Sequence, residues 1–171
     1  MNRTHKLAFS ALMVSLMMIL SYLEARIPVS TIPGIKLGLA NCVLLLGLYW
    51  LGAGICWPIM LTRVLLSGLL FSGPMSIVYS LAGGCLSLLI MQLLRKMPGF
   101  SPVGLGMAGG AAHNLAQVSV AVLVLKTPTL FWQLALLLPV GAVMGAVTGI
   151  LAAILLKRIN PFNQDTPKKG M

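Results

Sequence analysis

Six apolar stretches, each cut from the next by glycine, proline or basic residues, limit this chain to one kind of fold. They run roughly over residues 7–27, 37–51, 53–71, 75–94, 102–125 and 130–156. A helix needs about 20 apolar residues to cross the hydrocarbon core of a bilayer. Backbone that enters lipid must also close its hydrogen bonds within itself. The expected fold class is therefore all-α: a polytopic membrane protein built as a bundle of six transmembrane helices, although the second stretch is short. The bundle should occupy residues 1–159, with a polar cytoplasmic tail at 160–171. Of the 171 residues, 58% are hydrophobic and 8% charged. That is too little charge to cover a soluble surface.

The interruptions read as loops. Pro28, Pro33 and Gly34 end the first stretch, Gly52 and Gly54 part the second from the third, and Gly73-Pro74 part the third from the fourth. Arg95, Lys96, Pro98 and Gly99 form a polar connection, and Lys126 with Pro128 a tight one. Arg3 and Lys6 ahead of an apolar run resemble a signal peptide. No A-x-A cleavage site follows, so this run is read as an uncleaved first helix.

Basic residues set the orientation. With the N-terminus in the cytoplasm, Arg3, Lys6, Arg95, Lys96, Lys157, Arg158, Lys168 and Lys169 all lie inside. Only Arg26, Lys36 and Lys126 lie outside. Both termini are therefore expected in the cytoplasm, an alternation that an odd number of spans would break. The net charge of +10 comes from twelve Lys and Arg against only Glu24 and Asp165. Its placement at the ends of apolar runs suits the bilayer and not a nucleic acid. Cys42, Cys56 and Cys85 follow no zinc or redox spacing and read as small packing residues.

Small residues recur at helical spacing. Gly141, Gly145, Gly149 and Ala153 form one row, and Gly106, Gly110 and Asn114 another. Ser76, Ser80 and Gly84 form a third, and Ala11 with Ser15 a shorter one. Such rows let helices approach closely. Packing within the bundle is the favoured reading, and docking of a partner subunit the other. The sequence alone does not separate them.

Polar groups at membrane depth are costly and need a reason. Arg63 falls near the middle of the third stretch, where an arginine costs about 2.5–3.5 kcal/mol on insertion scales. It either snorkels or pairs internally with Glu24, or it serves binding or gating. His113 and Gln117 are four apart and share a helix face with Gly109, which should leave room beside the histidine. With Asn114 they form a candidate ligand-contact cluster. Lys36 and Asn41 follow the Pro33-Gly34 bend at the start of a short helix, a place where transporters expose backbone amides to substrate. The candidate substrate-binding residues are therefore Lys36, Asn41, Arg63, His113, Asn114 and Gln117. No metal site is expected, since His113 has no second ligand at suitable spacing.

Certain chemistries are excluded. The chain has no G-x-x-x-x-G-K-[ST] loop for ATP. Its two carboxylates cannot build the acidic site that holds magnesium and diphosphate in prenyl transfer. No Ser-His-Asp arrangement is available within the membrane. Catalysis by this chain alone, or with a resident cofactor, is not expected.

Four segments together carry a resemblance. They are Pro33-Gly34-Ile35-Lys36-Leu37-Gly38-Leu39-Ala40-Asn41, Arg63-Val64-Leu65-Leu66-Ser67-Gly68, Tyr79-Ser80-Leu81-Ala82-Gly83-Gly84 and His113-Asn114-Leu115-Ala116-Gln117. The chain resembles the Gx transporter family, also labelled heptaprenyl diphosphate synthase component I, from about Leu7 to Arg158. The transporter label implies likeness to the substrate-capture subunits of energy-coupling factor importers, which work with a membrane coupling subunit and ATPases. The synthase label implies a part in making the polyprenyl tail of quinones. Because carboxylates are missing, the expectation is a transport subunit in the bacterial inner membrane. It would bind a small organic solute, with anionic character suggested by the basic residues of the outer half. The alternatives are a non-catalytic membrane partner of heptaprenyl diphosphate synthesis and a scaffold for a membrane redox complex.

Overall fold

The computed structural model describes residues 3–27, 36 and 38–159, and every regular element among them is helical. In chain order these are α1 (Arg3–Arg26), α2 (Ala40–Trp50), α3 (Ala53–Ser67), α4 (Pro74–Arg95), α5 (Pro102–Leu125) and α6 (Leu134–Ile159). A π-helical turn, Gly68–Ser72, extends α3, and a 3-10 turn, Pro128–Gln133, leads into α6.

The breaks read from sequence have local causes. Gly52 and Gly73 take left-handed φ values of 80° and 79° directly before α3 and α4, a conformation glycine enters without a Cβ clash. Pro74 and Pro102 open α4 and α5, where the missing N–H would have no partner anyway. The Ser101 hydroxyl accepts the Gly104 N–H at 3.2 Å and caps α5. Lys126 closes α5 in the left-handed region, φ 50°.

Five helical stretches are long and apolar enough to cross a membrane: Arg3–Arg26, Ala53–Ser72, Pro74–Arg95, Pro102–Leu125 and Pro128–Arg158. Among the described residues no sixth helix reaches that length. α2 has 11 residues, about 16 Å at 1.5 Å per residue, against a hydrocarbon core of about 30 Å. It lies inside the bundle, with every residue from Ala40 to Leu48 buried, and it packs against all five other helices.

A short interior helix must satisfy its free ends. The Leu39 N–H donates to Glu24 Oε1 at the start of α2, and Arg95 Nη1 donates to the Leu48 carbonyl near its end. An anion therefore stands at the positive end of the helix dipole and a cation at the negative end.

Contacts along the helices set their directions. Glu24, late in α1, meets Leu39, while Met13, early in α1, lies against Gly47 late in α2. Cys56, early in α3, also adjoins Gly47, whereas Arg63 reaches Ser21. Arg95 at the end of α4 returns to the end of α2. Gly106 and Gly110 of α5 face Gly145 and Gly141 of α6 in antiparallel order. All six helices thus alternate in direction although α2 is short. The helix ends carrying Arg3, Lys6, Arg95, Lys96, Lys157 and Arg158 gather on one side, opposite those of Arg26 and Lys126. Lys168 and Lys169 lie outside the described residues, as do Pro28, Pro33 and Gly34 and the tail expected at 160–171.

The α5–α6 contact decides how the longest glycine row is used. A Cβ on Gly106, Gly110 or Gly145 would strike a backbone carbonyl of the facing helix, and one on Gly149 would lie 2.6 Å from the Val103 Cα. The row is buried inside the chain and offers no free face to a partner. Outward surfaces are apolar instead: Leu7, Leu69 and Leu123 are each more than 70% exposed. So continuous an apolar exterior suits lipid and not water.

Candidate functional site

Among the α1, α2, α3, α4 and α5 packing surfaces lies a cluster of buried polar side chains. Arg63 is its largest member, 2% exposed near the middle of α3. Its Nε donates to the Ser21 hydroxyl at 2.9 Å, and its Nη2 lies 3.7 Å from Glu24 Oε2. Ser21 and Glu24 are three apart and share the inward face of α1. Of the readings of Arg63, the internal pair with Glu24 is present. Glu24 holds Arg63 with one oxygen and the start of α2 with the other.

Lys36 lies in the connection before α2, outside the helices long enough to span. It is 5% exposed, and its backbone N–H donates to Gln117 Oε1 at 3.3 Å. Burial first, and then the nearby Arg63 charge, pull its ammonium pKa down to about 8, with Glu24 opposing both. Two residues on, Gly38 adopts φ 85°, and its carbonyl accepts the Asn41 N–H at 2.9 Å. This turn sets Gly38 beside the His113 ring and puts Asn41 in the first turn of α2.

His113 and Gln117 share one face of α5, as their spacing predicts, and Gly83 of α4 makes room for them. A Cβ on Gly83 would lie 2.8 Å from His113 Cε1 and 3.0 Å from Gln117 Cγ. Gly109 does not leave space beside the histidine. Met91 of α4 fills that place, and a Gly109 Cβ would lie 2.8 Å from its Sδ.

Five of the six candidate residues thus come together: Lys36, Asn41, Arg63, His113 and Gln117. Asn114 separates from them. It turns toward α6, where its Nδ2 donates to the Leu137 carbonyl at 2.6 Å, next to Gly141. Adjacent helix positions point about 100° apart, so neighbours in sequence serve different contacts. Sequence reasoning also missed Ser21. The available signal was its position three residues before Glu24, which gives the otherwise apolar α1 one polar inward face.

Several buried donor atoms of the cluster have no hydrogen-bond partner among the described residues: Lys36 Nζ, Asn41 Nδ2 and Gln117 Nε2. The Ser76 and Ser80 hydroxyls of α4 are in the same condition. Native interiors leave few such groups, so each calls for an explanation. Also among the described residues, no three His, Cys, Asp or Glu side chains gather as metal ligands would.

A family model described as heptaprenyl diphosphate synthase component I matches residues 13–155. No curated protein and no solved structure matches the chain. The expected likeness to substrate-capture subunits, and the transport activity inferred from it, therefore gain no support from relatives. The matched region contains α2 to α5 in full and every residue of the polar cluster.

Proposed function

The chain belongs to the heptaprenyl diphosphate synthase component I family, and from that premise we propose that it is a non-catalytic membrane component of such a synthase. The carboxylate inventory carries this reading. Magnesium-assisted prenyl transfer needs several carboxylates at one site. This chain has two, Glu24 and Asp165, and Glu24 is engaged by Arg63 and the start of α2. The acidic, metal-holding site must come from a partner subunit. The membrane component would bring that partner to the bilayer, where a long prenyl chain partitions. The end of the bundle with six basic residues faces the cytoplasm of the bacterial inner membrane, by the positive-inside rule.

Affinity purification of the full chain in mild detergent tests the proposal. A soluble, aspartate-rich prenyltransferase should co-purify, and deletion of the chain should change quinone side-chain length. If neither occurs, the proposal fails.

A second reading, capture of a small solute for transport, is favoured by one observation. The polar cluster leaves more buried donors unpartnered than helix packing requires. Co-purification of a membrane coupling protein with ATPases would select it.

A further inference from the structure

We propose that the buried cluster is a binding site for one compact oxyanion group, a carboxylate or a phosphate, with Lys36, Asn41 and Gln117 as its donors. The inference rests on the second reading above, in which the chain itself holds a small molecule, and is independent of the synthase reading.

Charge is the first ground. Arg63 and Lys36 are cationic, Glu24 is the sole carboxylate beside them among the described residues, and all three are buried. One carboxylate, paired with Arg63 at 3.7 Å and acting also on Lys36, leaves the three groups with one net positive charge. An unpaired buried cation is among the least favourable groups a protein interior can hold. Water can satisfy its hydrogen bonds but not its charge. A second cation would worsen the balance, whereas one monoanion completes it.

Hydrogen-bond demand is the second ground. Among the described residues, Lys36 Nζ, Asn41 Nδ2 and Gln117 Nε2 are donor atoms without acceptors. A lysine ammonium carries three N–H bonds and each amide nitrogen two, so the shortage is of acceptors. An oxyanion offers several lone pairs at one point and takes charge-assisted bonds, the stronger kind. These donors come from the connection before α2, from α2 itself and from α5, so a single ligand would tie together elements far apart in sequence. Gly38 and Gly83 pack against His113 on two sides and hold that ring at the edge of the cluster.

The test is thermal unfolding of the detergent-purified full chain, titrated with acetate or inorganic phosphate against chloride at equal ionic strength. One of the two oxyanions should raise the midpoint saturably, by about 2–4 °C or more. The arm with the larger rise at equal concentration identifies the ligand as a carboxylate or a phosphate. Lys36→Met should abolish this response and, in chloride alone, raise the midpoint above that of the unaltered chain. Removing a charge kept for a ligand relieves the unliganded state. Lys36→Arg should keep the response. The inference is overturned if neither oxyanion acts beyond chloride, or if Lys36→Met responds as the unaltered chain does. It is overturned as well if Lys36→Met unfolds at lower temperature in chloride, since Lys36 would then be a structural partner of Glu24. A prenyltransferase that still co-purifies in those cases would leave the synthase reading standing, and loss of the prenyltransferase alone would leave the anion site standing.

Discussion

Between α5 and α6 the contact is backbone on backbone, with Gly106, Gly110, Gly141 and Gly145 facing one another and no room for a Cβ at any of them. Around α2 the contact is different in kind. There Glu24 and Arg95 meet the two ends of α2, Glu24 also meets Arg63, and several polar atoms, Lys36 Nζ among them, remain without hydrogen-bond partners among the described residues. The first region gains its hold from close van der Waals approach, which is directionless and needs no ligand. The second depends on charge balance in a poorly solvated interior, where each missing partner is costly. One bundle therefore joins a seam of close backbone contact to a polar cluster with several donors unpartnered among the described residues, and the proposed ligand is placed at that cluster.

Overpacking should break the seam most severely. Gly145→Leu places side-chain carbon where the Gly106 carbonyl stands. Because both faces are backbone, neither can yield by a rotamer change, and the loss should be about 3 kcal/mol or more. Denaturant titration in detergent checks it. A loss under about 1 kcal/mol would mean that the helices do not approach this closely.

Nearly as large an effect should come from one half of the buried ion pair. Arg63→Met alone should destabilise the chain by about 3–5 kcal/mol, because Glu24 is left charged and buried. Adding Glu24→Gln should recover much of this. If the double variant is as unstable as the sum of the two single ones, Arg63 and Glu24 do not act as a pair.

Asn114→Leu should cost about 1–2 kcal/mol through the lost bond to the Leu137 carbonyl. It should leave the response to oxyanions intact. A lost response would move Asn114 back into the cluster and blur the division between the two regions.

The mildest effect is in pH. Lys36 is protonated below about 8, so oxyanion stabilisation should be full below that value and decline as pH rises through it. A bound anion delays the loss by favouring the charged form. Lys36→Arg should hold the response to higher pH, since a guanidinium keeps its charge. Arg63 and Glu24 flank Lys36 electrostatically. An unchanged pH profile in Lys36→Arg would assign the decline to another group.

Local chemistry made much of the fold readable. The limits of α5 at Pro102 and Leu125 coincide with those expected from sequence, since Ser101-Pro102 and Lys126 punctuate the chain at each end. α2 was harder. Its apolar run with the preceding residues looked like a short span, and only burial by five neighbours shows that it lies wholly inside the bundle. In the cluster, the shared face of His113 and Gln117 followed from spacing. The departure of Asn114 toward α6 did not, because it depends on where a helix more than twenty residues later is packed.

By itself the sequence determined that this chain enters lipid, forms helices and lacks the carboxylates for prenyl transfer, since apolar length and residue inventory are properties that need no partner. The tertiary structure alone decided that Arg63 meets Ser21 and Glu24, that Glu24 and Arg95 hold the two ends of α2, and that the glycine rows of α5 and α6 face each other. Those outcomes are contacts between residues distant in the chain. Which buried group finds a partner, and which is left wanting one, is settled only when all the helices have packed.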